Sequence, residues 1–174
     1  MIERSKERDD ELDRLRQLPS IEAQLVGWFD WIEKWGGANA STLLARRGGT
    51  ELYVRISYWR AVNRSFALVN FASVVLPKRQ RGKGWFAKLR RIAIATMPFD
   101  GIVYETVQNT RLAEALRKSG LIALPHEEFS SPSFIQLKSH QLHELYKHAE
   151  FDRMSLHDFE RFNVGKALSI HPDE

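Results

Sequence analysis

The 174-residue sequence contains no cysteine and no uninterrupted apolar run of about 18 residues. The first absence excludes disulfides, thiolate metal sites and a cysteine nucleophile. The second predicts that the chain has no membrane-spanning helix. The densely charged stretch 1–17 also lacks the apolar centre of a secretory signal. Together these absences predict a cytoplasmic protein that has no membrane partner.

Positive charge is concentrated in the middle of the chain. The formal net charge is +4, yet residues 39–100 contain twelve basic and two acidic residues and so carry +10 by themselves. Seven of these cations lie between Lys78 and Arg91. Charge runs are usually solvated faces, but a run this concentrated favours a polyanionic ligand.

The pattern of apolar residues predicts a mixed α/β (α+β) fold in one domain, 1–174. Residues 1–38 show helical periodicity interrupted by Pro19. Residues 39–138 alternate between extended and helical patterns and should form the core of the domain. Residues 139–174 are expected to form a helical C-terminal extension, in two pieces.

Six extended runs predict the strands of a sheet. They are rich in β-branched and aromatic residues and lie at 41–46, 51–59, 66–76, 102–107, 121–124 and 133–138. The first three follow one another closely, which predicts an antiparallel meander. A helical stretch separates the third run from the fourth, so these two strands are expected to be parallel.

One turn in the basic region has the features of an anion site. A strand ending at Leu76 runs into a basic glycine turn, residues 77–84, which opens an amphipathic helix. Gly82 and Gly84 let the backbone approach a ligand closely, because they have no Cβ. The unpaired amides of the helix's first turn and the helix dipole favour a bound anion. The sequence therefore predicts that this turn binds a phosphate.

Two segments carry motifs in matching order. Residues 81–86 read Arg-Gly-Lys-Gly-Trp-Phe and follow Pro77, and residues 109–121 read Asn-Thr-Arg-Leu-Ala-Glu-Ala-Leu-Arg-Lys-Ser-Gly-Leu. The first resembles the pyrophosphate-binding turn Q/R-x-x-G-x-G/A, and the second the segment N-x-x-x-A-x-x-L-x-K-x-G-F, of the GNAT superfamily of acyl-CoA-dependent N-acyltransferases. One helix and one strand separate them, as that fold requires. The resemblance covers roughly residues 39–138.

The resemblance implies a GNAT-like fold, a cosubstrate and a reaction. The fold would be a central, mostly antiparallel mixed sheet splayed between the fourth and fifth strands, with helices on both faces and extra N- and C-terminal helices. Acetyl-CoA would donate its acetyl group to a primary amine on a small molecule, a protein or a modified nucleotide. The residues expected to bind the cofactor are Val74, Val75, Leu76, Arg79, Gln80, Arg81, Gly82, Lys83, Gly84, Trp85, Phe86 and Asn109.

The sequence departs from the family pattern at two positions. Phe86 stands where the turn motif ends in glycine or alanine, although the motif also fits the shifted frame Arg79-x-x-Gly82-x-Gly84. Leu116 stands where many relatives have a tyrosine that protonates the leaving thiolate. The chain would therefore use another acid or release the thiolate unaided.

Glu105 is the best candidate for the general base that the reaction needs. It is the only carboxylate in the two central predicted strands, and strand alternation would place it with Val103 and Val107. A buried carboxylate can accept a proton near neutral pH. An ion pair with a nearby arginine explains Glu105 equally well. Asn109 could hydrogen-bond the pantetheine arm, as the resemblance suggests, or cap its helix.

A second class of function is a non-catalytic module that binds a nucleic acid or a protein on the same scaffold. Its support is a set of interleaved basic and aromatic side chains: Tyr53, Arg55, Trp59, Arg60 and Arg64. A homodimer is a further option that the sequence leaves open. An acetyltransferase that acts in a nucleic-acid setting would combine both classes.

The histidines do not predict a metal site. All six lie in the last 49 residues, and His140, His143 and His148 would share a helix face with Glu144. Spacings of three and five do not match the i, i+4 pairs common in zinc sites, which favours a solvated polar face. His126 and His157 are secondary candidates for the base.

Overall fold

The computed structural model of the chain describes residues 2–36, 42–125 and 130–168, with side chains over 6–36, 42–125 and 130–163. The helices in this part are α1 (Ile2–Arg16), α2 (Ile21–Trp35), α3 (Trp85–Thr96), α4 (Thr110–Lys118), α5 (His140–Tyr146) and α6 (Leu156–Leu168). The strands are β1 (Thr42–Arg47), β2 (Thr50–Ala61), β3 (Arg64–Val75), β4 (Gly101–Tyr104), β5 (Ile122–Ala123), β6 (Phe134–Leu137) and β7 (Asp152–Met154). A short 3-10 turn, Lys78–Gln80, precedes α3.

The seven strands form one mixed sheet in the order β1-β2-β3-β4-β6-β5, and β7 pairs with β2. The mixed α/β fold with a mostly antiparallel sheet and one parallel pair is confirmed. Contacts divide the chain into two compact units, residues 1–55 with 71–98 and residues 56–70 with 99–174. Strands β2 and β3 run through both units.

The first unit is built around α2. Ser20 caps this helix by accepting a hydrogen bond from the amide of Ala23 (3.1 Å), and Gly36 ends it with φ of 79°. The predicted apolar stripe is buried, and α2 contacts α1, β1 and α3. Glu11 of α1 accepts hydrogen bonds from Lys34 and Trp35, which lower the pKa of its carboxyl.

Strands β1 and β2 form the tight hairpin that the sequence predicts. Arg47 pairs with Thr50, and both intervening residues, Gly48 and Gly49, have positive φ (56° and 80°). Two residues with positive φ match the right-handed twist of a hairpin, and glycine adopts them without steric cost.

The core of the second unit lies beside β4. This strand pairs antiparallel with β6, which pairs in turn with β5. Asp100 fixes the start of β4 level with Ala67 of β3: its amide donates to the Ala67 carbonyl, and its carboxylate accepts from the Ala67 amide (both 2.9 Å). Because β4 has only four residues, it can pair with no more than the nearby third of β3.

The C-terminal segment corrects the prediction of two helices and nothing else. Between α5 and α6 the chain forms β7, whose residues Asp152–Met154 pair antiparallel with β2. Three residues are too few to show an alternating pattern, so the strand depends on its partner. Beyond it, Phe159 of α6 stacks on Tyr58 (centroids 4.6 Å apart), and burial raises the pKa of Tyr58.

Candidate functional site

The predicted phosphate turn presents open backbone in the first unit. Gly82 and Gly84 have φ of 72° and 75°, and a Cβ at either position would meet no atom within 4 Å. Gly84 is also the residue at which α3 begins. These glycines are required by backbone conformation, and the space in front of them is available to a ligand.

Four consecutive main-chain donors face this space without an internal partner. Within the described residues, the amides of Gly82, Lys83, Gly84 and Trp85 donate no hydrogen bond to the chain, and the first bond of α3 runs from the Lys88 amide to the Gly84 carbonyl (3.0 Å). Unpaired amides at the positive end of a helix dipole stabilise an anion. The geometry matches the predicted diphosphate site.

Side chains of the turn hold it in place. Arg81 Nε donates to the Leu76 carbonyl (2.9 Å), and an Arg79 guanidinium nitrogen donates to the Gly48 carbonyl (3.4 Å). Gln80 Oε1 accepts from Thr50 Oγ1 (2.9 Å). Three of the predicted cofactor-binding side chains therefore anchor the turn to the β1–β2 hairpin.

The positions of Gly84 and Phe86 favour the shifted frame of the turn motif. Gly84, the last residue of that frame, has the positive φ that a glycine supplies. Phe86 lies in the first turn of α3, and its ring packs edge-on against Phe71 (centroids 6.1 Å apart). The side chain of Phe86 thus has a packing role, and only its backbone is suited to the anion.

A cavity of about 390 Å³ adjoins the turn within the same unit. Three segments line it: the start of α2, the β1–β2 hairpin, and the turn with the start of α3. The lining residues are Pro19, Ser20, Ile21, Glu22, Arg47, Gly48, Thr50, Gln80, Lys83 and Trp85. Within it, the Trp85 indole nitrogen donates to Glu22 Oε1 (3.0 Å). Sequence reasoning found Gln80, Lys83 and Trp85 but missed the remaining walls, which are distant in sequence.

The other predicted carbonyl-binding residues lie where β3 ends. Val74 and Val75 are its last two residues, and Leu76 follows. Val75 is half exposed (48%). Their predicted role, in which main-chain amides polarise the thioester carbonyl, stays a prediction.

Glu105 does not lie on a strand, contrary to the sequence prediction. Strand β4 ends at Tyr104, because the chain turns at Thr106, whose φ is 49°. There the Thr106 amide donates to Ser133 Oγ (3.0 Å) and the Val107 amide to the Pro132 carbonyl (2.8 Å), so pairing with β6 ends. Strand alternation therefore cannot assign the face on which Glu105 lies.

The carboxylate of Glu105 is partly buried and has a cationic neighbour. Its side chain is 19% exposed, and its Oε1 lies 3.3 Å from a guanidinium nitrogen of Arg153 in β7. The ion-pair interpretation of Glu105 is therefore correct, and its role as a base stays a prediction. Arg153 escaped sequence reasoning because β7 did.

The second motif gives a capping residue and a core residue. Asn109 Oδ1 accepts from the Leu112 amide (3.1 Å), so Asn109 caps α4, and the pantetheine contact stays a prediction. Leu116, at the family's tyrosine position, is completely buried in α4. A hydrophobic side chain in the core supplies no proton, so the departure from the family pattern is real.

Sequence reasoning also missed Asn70, a buried polar residue of β3 in the second unit. It is 0% exposed, and within the described residues neither its amide nitrogen nor its carbonyl oxygen has a hydrogen-bond partner. Such groups are uncommon in folded proteins because burying an unpaired amide costs free energy. The signal was present in the sequence: Asn70 is the single polar residue of the run 66–71.

The side chains proposed for nucleic-acid binding do not form a free surface. Trp59 is buried (8% exposed), and its indole nitrogen donates to Ser57 Oγ (2.9 Å), so the ring cannot stack on a base. Arg60 pairs with Asp152 (3.6 Å). Arg64 pairs with Asp100 (3.4 Å).

The histidine-bearing helix shows no metal cluster. Among residues 2–36, 42–125 and 130–168, no group of three or more acidic or histidine side chains could hold a metal ion. A ring nitrogen of His143 lies 2.9 Å from the Gly120 carbonyl instead. His126 lies outside the described residues. In the same part of the chain, no helix has the length and apolar character needed to cross a membrane.

Comparison with known proteins identifies no family. No protein-family model matches the sequence, and no curated protein matches it. Among solved structures, two of a mutant AtaT toxin resemble it, one bound to the C-terminus of the antitoxin AtaR and acetyl-CoA, and the other bound to the C-terminus of AtaR.

These two likenesses are distant. The TM-scores are 0.40 and 0.42, the identities 13% and 16%, and the matches cover 56% and 58% of this chain. They span 62% and 64% of the toxin chains, a little under two thirds of their length. At TM-scores this low the likeness carries no argument, and the conclusions below rest on the chain's own residues.

Proposed function

We propose that the protein is an acetyl-CoA-dependent N-acetyltransferase that acts on a primary amine. The observation that carries the proposal is the open glycine turn, with four consecutive unpaired amides at the start of α3. Its support from the sequence is the order of the two GNAT-like motifs, at 81–86 and 109–121. The acceptor would be a small molecule, a protein or a modified nucleotide.

The turn would bind the cofactor and take no part in the chemistry. The diphosphate of acetyl-CoA would accept hydrogen bonds from the amides of residues 82–85, with the α3 dipole and the Lys83 ammonium balancing its charge. Because Arg79, Gln80 and Arg81 already hold the turn, little order has to be gained on binding. Preorganisation of this kind improves affinity by lowering the entropic cost.

The transfer itself needs a neutral amine and a polarised thioester. The amine nitrogen attacks the carbonyl carbon, the new C–N bond forms as the C–S bond breaks, and the proton lost by the amine passes to a base, directly or through water. Glu105 is proposed as that base, and the amides near Val74 and Val75 as the groups that stabilise the oxyanion. The thiolate would leave unaided or take a proton from an acid other than residue 116.

Thermal unfolding with acetyl-CoA tests the proposal. At about 100 times Kd, a ligand that binds only the folded state adds about 2.7 kcal/mol. For a chain of this size, that corresponds to a rise in Tm of roughly 5–10 °C, and the rise should increase with dose. If acetyl-CoA and coenzyme A leave Tm unchanged while DNA raises it with a steep salt dependence, the protein is a binding module.

Glu105→Gln is expected to lower kcat by about 100-fold or more, because removing a general base costs roughly 10²–10⁴ in rate. The Kd for acetyl-CoA should stay the same, since the amide keeps the size of the carboxylate and lies outside the turn. The measurements are steady-state kinetics on an acceptor found by screening, and calorimetric titration with acetyl-CoA.

Arg153→Ala is the matched control for Glu105→Gln, because it breaks the same ion pair and keeps the carboxylate. A purely structural Glu105 would make the two variants alike, each slightly less stable and each with wild-type kcat. That result would remove Glu105 from the mechanism.

A further inference from the structure

The cavity beside the glycine turn has a positive character. Arg47 and Lys83 both line it, and within the described residues neither forms an ion pair with an acidic side chain. The first two amides of α2, at Ile21 and Glu22, also donate no internal hydrogen bond in this part of the chain. The cavity therefore receives two cations and the positive ends of two long helices.

One carboxylate lines the cavity, and it is already engaged. Glu22 Oε1 accepts the hydrogen bond from the Trp85 indole, which fixes the orientation of that ring. Together with Pro19 and Ile21, Trp85 gives the cavity an apolar wall with a flat aromatic surface. A volume of about 390 Å³ lies within the range of small-molecule pockets, roughly 300–1,000 Å³.

The cavity and the proposed diphosphate site share residues. Lys83 and Trp85 line the cavity, and their main-chain amides belong to the unpaired set of the turn. A ligand whose diphosphate lies on those amides has its next chemical group beside the cavity. That group should combine a flat ring, for the wall, with a further anion, for Arg47.

We infer that the cavity binds a nucleoside that carries a phosphate on its 3′ side as well as the diphosphate on its 5′ side. The inference rests on the proposed function, because the nucleoside end of acetyl-CoA has this chemistry. Arg47 binds the 3′-phosphate, and the wall formed by Trp85 contacts the base. A free 3′,5′-bisphosphorylated nucleoside has the same chemistry, so the experiment separates the two sources.

The test is calorimetric titration of the full chain with four ligands: acetyl-CoA, 3′-dephospho-acetyl-CoA, adenosine 3′,5′-bisphosphate and adenosine 5′-diphosphate. In the wild type, each 3′-phosphorylated ligand should bind about 10-fold tighter than its counterpart without that phosphate, the size expected for a charged hydrogen bond. In Arg47→Ala this preference should fall to near onefold, and the affinity for the dephospho ligands should stay the same.

Arg46→Ala is the matched control, since Arg46 neighbours Arg47 in β1 but pairs with Glu51 (3.3 Å) and does not line the cavity. This variant should keep the wild-type preference. A loss of preference in both variants would indicate a general effect of net charge and would overturn the inference.

The remaining outcomes separate this inference from the proposed function. If acetyl-CoA binds but the 3′-phosphate and Arg47 make no difference, the cavity is not the nucleoside site and the transferase proposal stands. If adenosine 3′,5′-bisphosphate binds through Arg47 while acetyl-CoA does not bind, the cavity is a bisphosphate site and the transferase proposal fails. If none of the four ligands binds, both fail.

Discussion

Gly84→Glu is expected to weaken acetyl-CoA binding by at least about 100-fold and to remove the thermal shift, because like charges in contact cost several kcal/mol. The new carboxylate would project into the space that a Cβ at position 84 now finds empty, in front of the unpaired amides. The variant should still fold. Its backbone strain, from a non-glycine residue at φ of 75°, costs about 1–2 kcal/mol.

Gly120→Glu is the matched control for this substitution. Gly120 has φ of 74°, its Cβ would also meet no atom within 4 Å, and it lies in the second unit, outside the turn. The control should therefore lose similar stability and keep the response to acetyl-CoA. If Gly84→Glu binds acetyl-CoA as tightly as the control does, the turn is not the diphosphate site.

Gly101→Ala is expected to lower the free energy of unfolding by about 3 kcal/mol or more, the upper end of overpacking effects. A Cβ at this position would lie 2.2 Å from the Gln136 carbonyl oxygen and 2.9 Å from the Leu137 Cα. Both are main-chain atoms of β6, so no side chain can rotate away. In a chain of this length the loss corresponds to a fall in Tm of roughly 6–12 °C.

Gly27→Ala shows whether the effect is specific to the β4–β6 contact. A Cβ at Gly27 lies 3.3 Å from atoms of the Leu15 and Leu18 side chains, which can adjust, and alanine favours the helix by roughly 1 kcal/mol. This variant should remain within about 1 kcal/mol of the wild type. If Gly101→Ala matches it in chemical denaturation, or both fail to fold, the packing of β4 against β6 has been misjudged.

Local sequence was enough to predict the elements whose patterns are long. Helix α2 shows its apolar stripe over fifteen residues, and the β1–β2 hairpin is defined by its glycine pair. The glycine turn was predicted for the same reason, since φ values of 72° and 75° at Gly82 and Gly84 exclude most other residues. The single-domain organisation stays a prediction.

Features that depend on distant partners were missed or misplaced. The end of β4 is set by Ser133 and Pro132, which take the amides of residues 106 and 107, and no pattern near Glu105 reveals this. The cavity joins three segments separated by tens of residues. Arg47 reads in sequence as one more exposed cation, and only the folded chain places it opposite Lys83 in a common lining.

The short strand β7 bears on how far the chain can be trimmed. Along β2, residues 50–55 hydrogen-bond with β1, and Tyr58–Arg60 with β7. A version cut before residue 150 would bare the main chain of those three residues. Bare strand margins recruit other molecules and promote clumping, so the apparently dispensable tail helps to keep the folded protein from aggregating.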